Sequence, residues 1–188
     1  MDKPTNYSGK FLIATPVMED PRFSRAVIYV CNHDESGAMG LTINKTKGAL
    51  SLSKMLDQIG IDGPVRVADS PVLNGGPVDI NRGFVLHSPD YSHDDNSLRL
   101  SETLMLTSTK DVLEALVADH APAQAVMAVG YSGWSAGQLE QELAINAWLV
   151  ADADDGLIFD ADMDGKWVRA LAHLGIAPEQ LSHLGGQA

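Results

Sequence analysis

Apolar and β-branched residues arrive in short blocks over the first two thirds of the chain, set apart by Gly, Pro, Asn and Asp. Lys10–Thr15, Arg25–Cys31 and Ala38–Asn44 read as strands, because short apolar runs bounded by turn formers suit an extended, buried backbone. The segment Asn32–Gly37 joins the second to the third as a hairpin connection. Gly37 and Gly40 there can take positive φ or admit another backbone closely. Leu52, Met55, Leu56 and Ile59 share one helical face and predict an amphipathic helix over Leu50–Ile59. Val65–Ala68, Gly83–His87, Ser97–Leu100 and Leu104–Thr107 read as further strands, with the turn Asn74-Gly75-Gly76-Pro77 between the first two. Ser108–Asp119 predicts a helix capped by Ser108 or Thr109, with Asp111 at its positive end. Gln124–Tyr131 is almost wholly apolar and predicts a central strand, followed by a helix over Ala136–Val150. Leu157–Asp160 reads as a last strand. Helices over Lys166–Leu174 and Pro178–Leu184 follow, stopped by Gly175 and Gly185.

Strands cluster in hairpins ahead of most helices, which predicts an α+β fold with a mixed sheet in preference to a doubly wound array. No repeat, linker or low-complexity tract breaks the 188 residues, so one domain over residues 1–188 is expected. Hydrophobic residues make up 45% and charged residues 20%, which excludes a disordered or fibrous chain. The 13 basic and 25 acidic side chains leave a formal charge of −12. The excess is lopsided: residues 1–94 hold 9 basic and 11 acidic groups, and residues 95–188 hold 4 and 14. Direct nucleic-acid or anionic-membrane binding needs clustered cations and is disfavoured. The loose basic group Lys45, Lys47, Lys54, Arg66 and Arg82 is interleaved with acids, and no basic recognition helix can be written. Cys31 stands alone, which excludes an intrachain disulfide and a Cys-rich zinc site. Met1–Lys10 is polar, and the apolar run Phe11–Met18 is broken by Thr15 and Pro16, too short to span a bilayer. A soluble, cytoplasmic protein is expected.

Several constellations suggest chemistry. Gly133-Trp134-Ser135-Ala136-Gly137 matches G-x-S-x-G between a strand and a helix, where a nucleophile elbow belongs, with acids and then His173 or His183 downstream. The competing account is a capping box, the Ser135 hydroxyl accepting from the Gln138 amide and the Gln138 side chain returning to the Ser135 backbone. Asp160, Asp162, Asp164 and Gly165 copy half of an EF-hand loop, but the twelfth position is Leu171 where a bidentate Glu is needed. His87, Asp90, His93, Asp94 and Asp95 fit no common metal spacing, so an ordinary loop is the better reading. Cys31 and His33 would share a face of an unbroken strand and could pair, although a strand-end Cys is usually a small hydrophobe. The glycine turns lack the Lys-Ser/Thr of a phosphate loop. Trp134 and Trp148 read as core anchors, with an interface role second. No metal site, no cofactor and no complete catalytic set emerge.

The whole pattern resembles the YqgE/AlgH family of bacterial proteins. The carrying motifs are Gly9–Pro16, Met18–Tyr29, His33 with Gly37–Leu41 and Asn44, Asn74–Val78, Gly83–Ser88, Gly130–Glu140 and Asn146–Leu149. Their order and spacing, more than any one block, make the match. The resemblance implies an α+β fold with a bifurcated, partly barrel-like, largely antiparallel sheet flanked by helices. It implies no catalytic or ligand residues. The family often carries the label of transcriptional regulator. It is also similar at Ser132 and Ser135 only in allowing small residues, which weakens a serine hydrolase.

These readings favour a non-enzymatic accessory or regulatory protein that binds a protein partner or a small ligand. The alternatives are a serine hydrolase using Ser135 and an indirect or DNA-associated regulator. The candidate binding surface is where Asn32–Gly40, Asn74–Pro77 and Tyr131–Trp134 could converge: His33, Gly37, Gly40, Asn74, Gly75, Gly76, Pro77, Tyr131 and Trp134.

Overall fold

The computed structural model describes residues 5–91 and 96–181. Its strands are β1 (Lys10–Ala14), β2 (Val27–Asp34), β3 (Gly37–Thr42), β4 (Thr46–Ser51), β5 (Pro71–Asn74), β6 (Val78–His87), β7 (Ser97–Arg99), β8 (Met105–Thr107), β9 (Ala125–Ser135) and β10 (Trp148–Asp152). Its helices are α1 (Leu52–Gln58), α2 (Lys110–Ala115), α3 (Gln138–Ala144), α4 (Asp155–Phe159), α5 (Lys166–His173) and α6 (Pro178–Leu181), with a single 3-10 turn at Pro21–Phe23. The strands form one mixed sheet in the order β10-β1-β2-β3-β9-β6-β8-β7, with β4 and β5 off this path. All pairings are antiparallel except β5 with β9. The result is the expected α+β half-barrel.

The fork lies in β9. Its first part, to Tyr131, pairs with β6 and β5, and its last part, Ser132–Ser135, pairs with β3. Gly130 turns the strand between these commitments at φ +75°, a backbone state that glycine adopts without a Cβ penalty. Three apolar clusters cover the sheet. One is closed by α4, α5 and α6 through Leu157, Ile158, Trp167, Leu171 and Leu181. A second is closed by α1 and α2 through Leu52, Leu56, Val112 and Leu116, and a third is closed by α3 and the two tryptophans.

The expected elements need correction in five places. The helix over Ala136–Val150 is the short α3 followed by β10, because Asn146 reverses the chain at φ +58° and Trp148–Asp152 pair with β1. Leu139, Leu143, Ala147 and Val150 fall at helical spacing, which is what made one long helix look right. Leu157–Asp160 belongs to helix α4, capped where the Asp154 carboxylate accepts from the Gly156 N–H at 2.9 Å. Val65–Ala68 is not a strand: Val67 is buried, and the Arg66 N–H donates to the Leu116 carbonyl at 2.8 Å. Strands β4 and β5 were not expected, since Thr46–Ser51 carries little apolar surface and Pro71–Asn74 is only four residues long. Helix α2 is also shorter than Ser108–Asp119, and the Thr109 hydroxyl at its cap is buried without a partner. Gly175 ends α5 at φ +68° as expected, whereas Leu184 and Gly185 lie outside the described residues. No helix among the described residues is long and apolar enough to cross a membrane.

Candidate functional site

The three turns singled out in the sequence meet around the end of β9. Gly37–Gly40 pair with Ser132–Ser135, and Gly75 and Gly76 lie against Gly130, Tyr131 and Ser132. Gly76 sits at φ +156°, and a Cβ there would lie 2.2 Å from the Tyr131 carbonyl carbon and oxygen. A Cβ on Gly75 would lie 2.3 Å from the Gly130 oxygen. Only glycine allows these backbones to cross so closely. Gly40 is similarly pressed between Ile28 and the Tyr29 carbonyl. These three glycines therefore build the frame and are themselves buried.

The frame opens onto a cleft of about 710 Å³, a size suited to a small organic ligand. Of the candidate residues, Gly37, Tyr131 and Trp134 line it. Pro77 lines a smaller depression of about 360 Å³ that shares Val78, Gly133 and Trp134 with the cleft. Asn74 is exposed, its N–H donating to the Lys45 carbonyl at 2.8 Å, and lines neither. His33 lines neither as well. Its ring is 5% exposed, Nδ1 accepts from the Tyr7 N–H at 3.2 Å, and this tautomer leaves Nε2 to donate to Glu140 at 2.9 Å.

Strands β6, β7 and β8 supply lining residues that the motif reading left out: Val78, Arg82, Phe84, Leu98 and Leu106. Phe84 and Tyr131 meet edge to face at 5.9 Å, and the Arg82 guanidinium lies 5.2 Å from the Phe84 ring centre. Among the described residues, Arg82 and Tyr131 are the only ionisable groups in the lining. The wall shared with the smaller depression is rigid. Glu142 Oε2 accepts from the Trp134 and Trp148 indole N–H groups at 2.9 and 2.7 Å, and Gln138 donates to its other oxygen at 2.9 Å. Both tryptophans are thus core anchors whose polar edges are satisfied.

The other constellations are occupied by local structure. The Ser135 N–H donates to Gln138 Oε1 at 3.0 Å, which is one half of the expected box. The other half differs, since the Ser135 hydroxyl donates to the same Oε1 at 3.2 Å and Gly137 holds the cap position. No imidazole bonds to Ser135 among the described residues; His173 pairs with Asp154 at 3.6 Å, and His183 lies outside them. Cys31 is buried in the first apolar cluster, and burial pushes its thiol up to about 12. A register shift between Val30 and Asn32 interrupts β2 there, and His33 turns to Tyr7 and Glu140, so no Cys–His pair forms. His87 is fully buried, and burial lowers its pKa. A neutral ring satisfies its neighbours, Nδ1 donating to the Ser88 carbonyl and Nε2 accepting from Thr107, both at 2.8 Å. Asp90 accepts from Ser88 and from the Ala123 N–H, while His93, Asp94 and Asp95 lie outside the described residues. No cluster of three potential metal ligands occurs among the described residues.

With this geometry in view, the comparisons with known proteins are specific. The family model described as AlgH-like (DUF179) matches residues 11–179. The chain belongs to the AlgH-like family. It is 49% identical over 182 residues to a UPF0301 protein of Ruegeria pomeroyi, covering 96% of this chain and 98% of that one. A UPF0301 protein of Caulobacter vibrioides is 46% identical over 181 residues, covering 96% and 93%. The solution structure of the AlgH protein from Pseudomonas aeruginosa is similar with a TM-score of 0.77 and 42% identity, covering 100% of this chain and 97% of that one. A crystal structure from Corynebacterium diphtheriae shares the fold at a TM-score of 0.73 and 20% identity, covering 97% and 94%.

Proposed function

We propose that this protein is a non-enzymatic accessory or regulatory protein that acts by binding, and that the occupant of the cleft is a small ligand. One observation carries the reading. The turns picked out by sequence join in one frame, and that frame borders a concave space with an aromatic floor and, among the described residues, no acid–base pair in its lining. Among the described residues no base reaches Ser135, whose hydroxyl is engaged by Gln138, and the His33 ring is engaged by Tyr7 and Glu140. The DNA-associated reading finds one guanidinium in the cleft of a chain with a formal charge of −12. A protein partner over the same rim is the second reading, favoured by the exposed side chains of Val78, Ile80 and Leu98. A reducing, cytoplasmic setting accords with the single free thiol.

The test uses a blocking variant. Gly133 is exposed, lies in both depressions, and a Cβ there meets nothing closer than 3.4 Å, so Gly133→Phe fills the space without disturbing the frame. The protein is incubated with the small-molecule fraction of a bacterial extract, desalted and weighed by native mass spectrometry. The expected result is a stoichiometric adduct on the wild type that Gly133→Phe loses. An adduct unchanged by the variant, or none in repeated extracts, contradicts the proposal.

A further inference from the structure

We infer that the cleft selects an organic anion with a flat apolar body, its acidic group held by Arg82 and its body against Tyr131, Val78 and Leu98. The inference rests on the reading of the cleft as a ligand site and names the class of ligand. Three observations carry it. The first is the charge of the lining: of the 22 Asp and Glu side chains among the described residues, none lines this cleft. The second is that Arg82 is uncommitted. It makes no hydrogen bond or ion pair to any described residue, and its contact with Phe84 draws on its charge without occupying its five N–H donors. Arg22 and Lys110, which line other depressions, spend their charge on Asp20 at 2.6 Å and Glu114 at 3.1 Å. The third is the surface beside that cation. The half-buried Tyr131 ring is backed edge to face by the buried Phe84 at 5.9 Å, and the exposed Val78 and Leu98 extend the apolar surface towards the rim.

The hairpin acid Asp34 is bonded to two residues of the lining, Asn32 and Ser36. It lies outside the lining itself, and Asn32 and the N–H and hydroxyl of Ser36 donate to its carboxylate. The overall negative charge of the chain works against an approaching anion. Charges more than about 8 Å away are largely screened at physiological ionic strength, which limits the opposition from distant carboxylates. A guanidinium meets a carboxylate or phosphate edge with two parallel N–H bonds, which a neutral amide cannot reproduce with equal strength.

The experiment uses three probes of one shape: 2-naphthoate, its neutral amide and 2-naphthylmethylammonium. Each is titrated into the full-length 15N-labelled chain as wild type, Arg82→Gln and Gly133→Phe, with thermal melts to confirm that the variants are folded. The expected order on the wild type is naphthoate, amide, ammonium. Naphthoate should lead the amide by roughly tenfold, the usual size of a charge-assisted gain. Arg82→Gln should erase that lead while leaving amide binding unchanged. Equal binding of the three probes, or a lead that survives Arg82→Gln, overturns the anion inference and leaves the cleft as a ligand site. No shifts in cleft residues with any probe, or binding that persists in Gly133→Phe, overturns both.

Discussion

The loop Asp160–Gly165 and the cleft at the end of β9 differ in how much of their side-chain bonding the fold itself consumes. The loop carries three carboxylates at alternate positions and looks like a place for a cation. In the fold its cation is a side chain: Arg169 donates to Asp160 at 2.6 Å and to the Asp162 carbonyl at 3.1 Å, and its guanidinium lies 3.6 Å from the Asp162 carboxylate. Asp160 and Asp162 also accept backbone N–H bonds from Asp162 and Gly165, which closes the loop on itself. The cleft grows from the turns picked out as the candidate binding surface, and there the Arg82 guanidinium makes no hydrogen bond or ion pair to any described residue, while Val78 and Leu98 stay exposed. Residue types alone suggest chemistry. What distinguishes the two regions is whether the fold has already used the bonding capacity of those residues.

The contrast can be broken most forcefully at the frame. Gly76→Ala puts a Cβ 2.2 Å from the Tyr131 backbone at φ +156°, and the expected loss is about 3 kcal/mol or more of folding stability by urea denaturation. Gly133→Ala, two residues past Tyr131 in the open part, should change stability by less than about 0.5 kcal/mol. Equal losses at the two positions would show that frame and opening are not separate.

Next in size is the interior beside the closed loop. Lys166 is fully buried, donates to the Ile43 and Ile158 carbonyls at 2.9 and 3.0 Å, and burial lowers its pKa to about 8. Unfolded, it titrates near the ordinary 10.5, so between these values the unfolded chain holds more protons and stability rises with pH. The raised groups Cys31 and Tyr29 act in the opposite sense above about pH 9. The quantity to measure is therefore the difference in stability between wild type and Lys166→Met from pH 7 to 10.5. It should move in favour of wild type as pH rises, and a flat difference would refute the account.

A smaller effect is expected at the loop. The Arg169 guanidinium holds the Asp160 carboxyl down at about 2, so its contribution is complete above the ordinary 3.8 and is lost as pH falls through about 2. Arg169→Gln should move the Asp160 titration, followed by carbon-13 NMR, back towards ordinary carboxylate values. Smallest of all is Ser135→Ala, which should shift stability by less than about 0.5 kcal/mol and leave ligand adducts unchanged. Loss of an enzymatic turnover on that substitution would restore the hydrolase reading.

The hairpin β2–β3, the strand β9 and the crossing glycines were legible because each has a strong local signature: β-branched runs, an apolar block and a Gly-Gly pair before Pro77. Strand β4 was not, since edge pairing to β5 asks little apolar surface of Thr46–Ser51. The Leu139–Val150 stretch misled because its apolar spacing suits a helix, and only the reversal at Asn146 and pairing with β1 decide otherwise. In the site, Gly37, Tyr131 and Trp134 were found as turn residues. Arg82 was visible only as one of five loose basic residues, because its distinction is a missing partner, and that is a property of three-dimensional neighbours. His33 was drawn in by proximity in sequence and is held instead by Tyr7 and Glu140.

The most direct test of the account is a chemical-shift map of the full-length chain with and without the small-molecule fraction of an extract. The account predicts changes grouped at Gly37, Met39, Arg82, Tyr131, Gly133 and the Trp134 indole, with the Asp160 loop silent. Changes centred on Asp160–Gly165 or around His33 and Glu140, with the cleft silent, would contradict it.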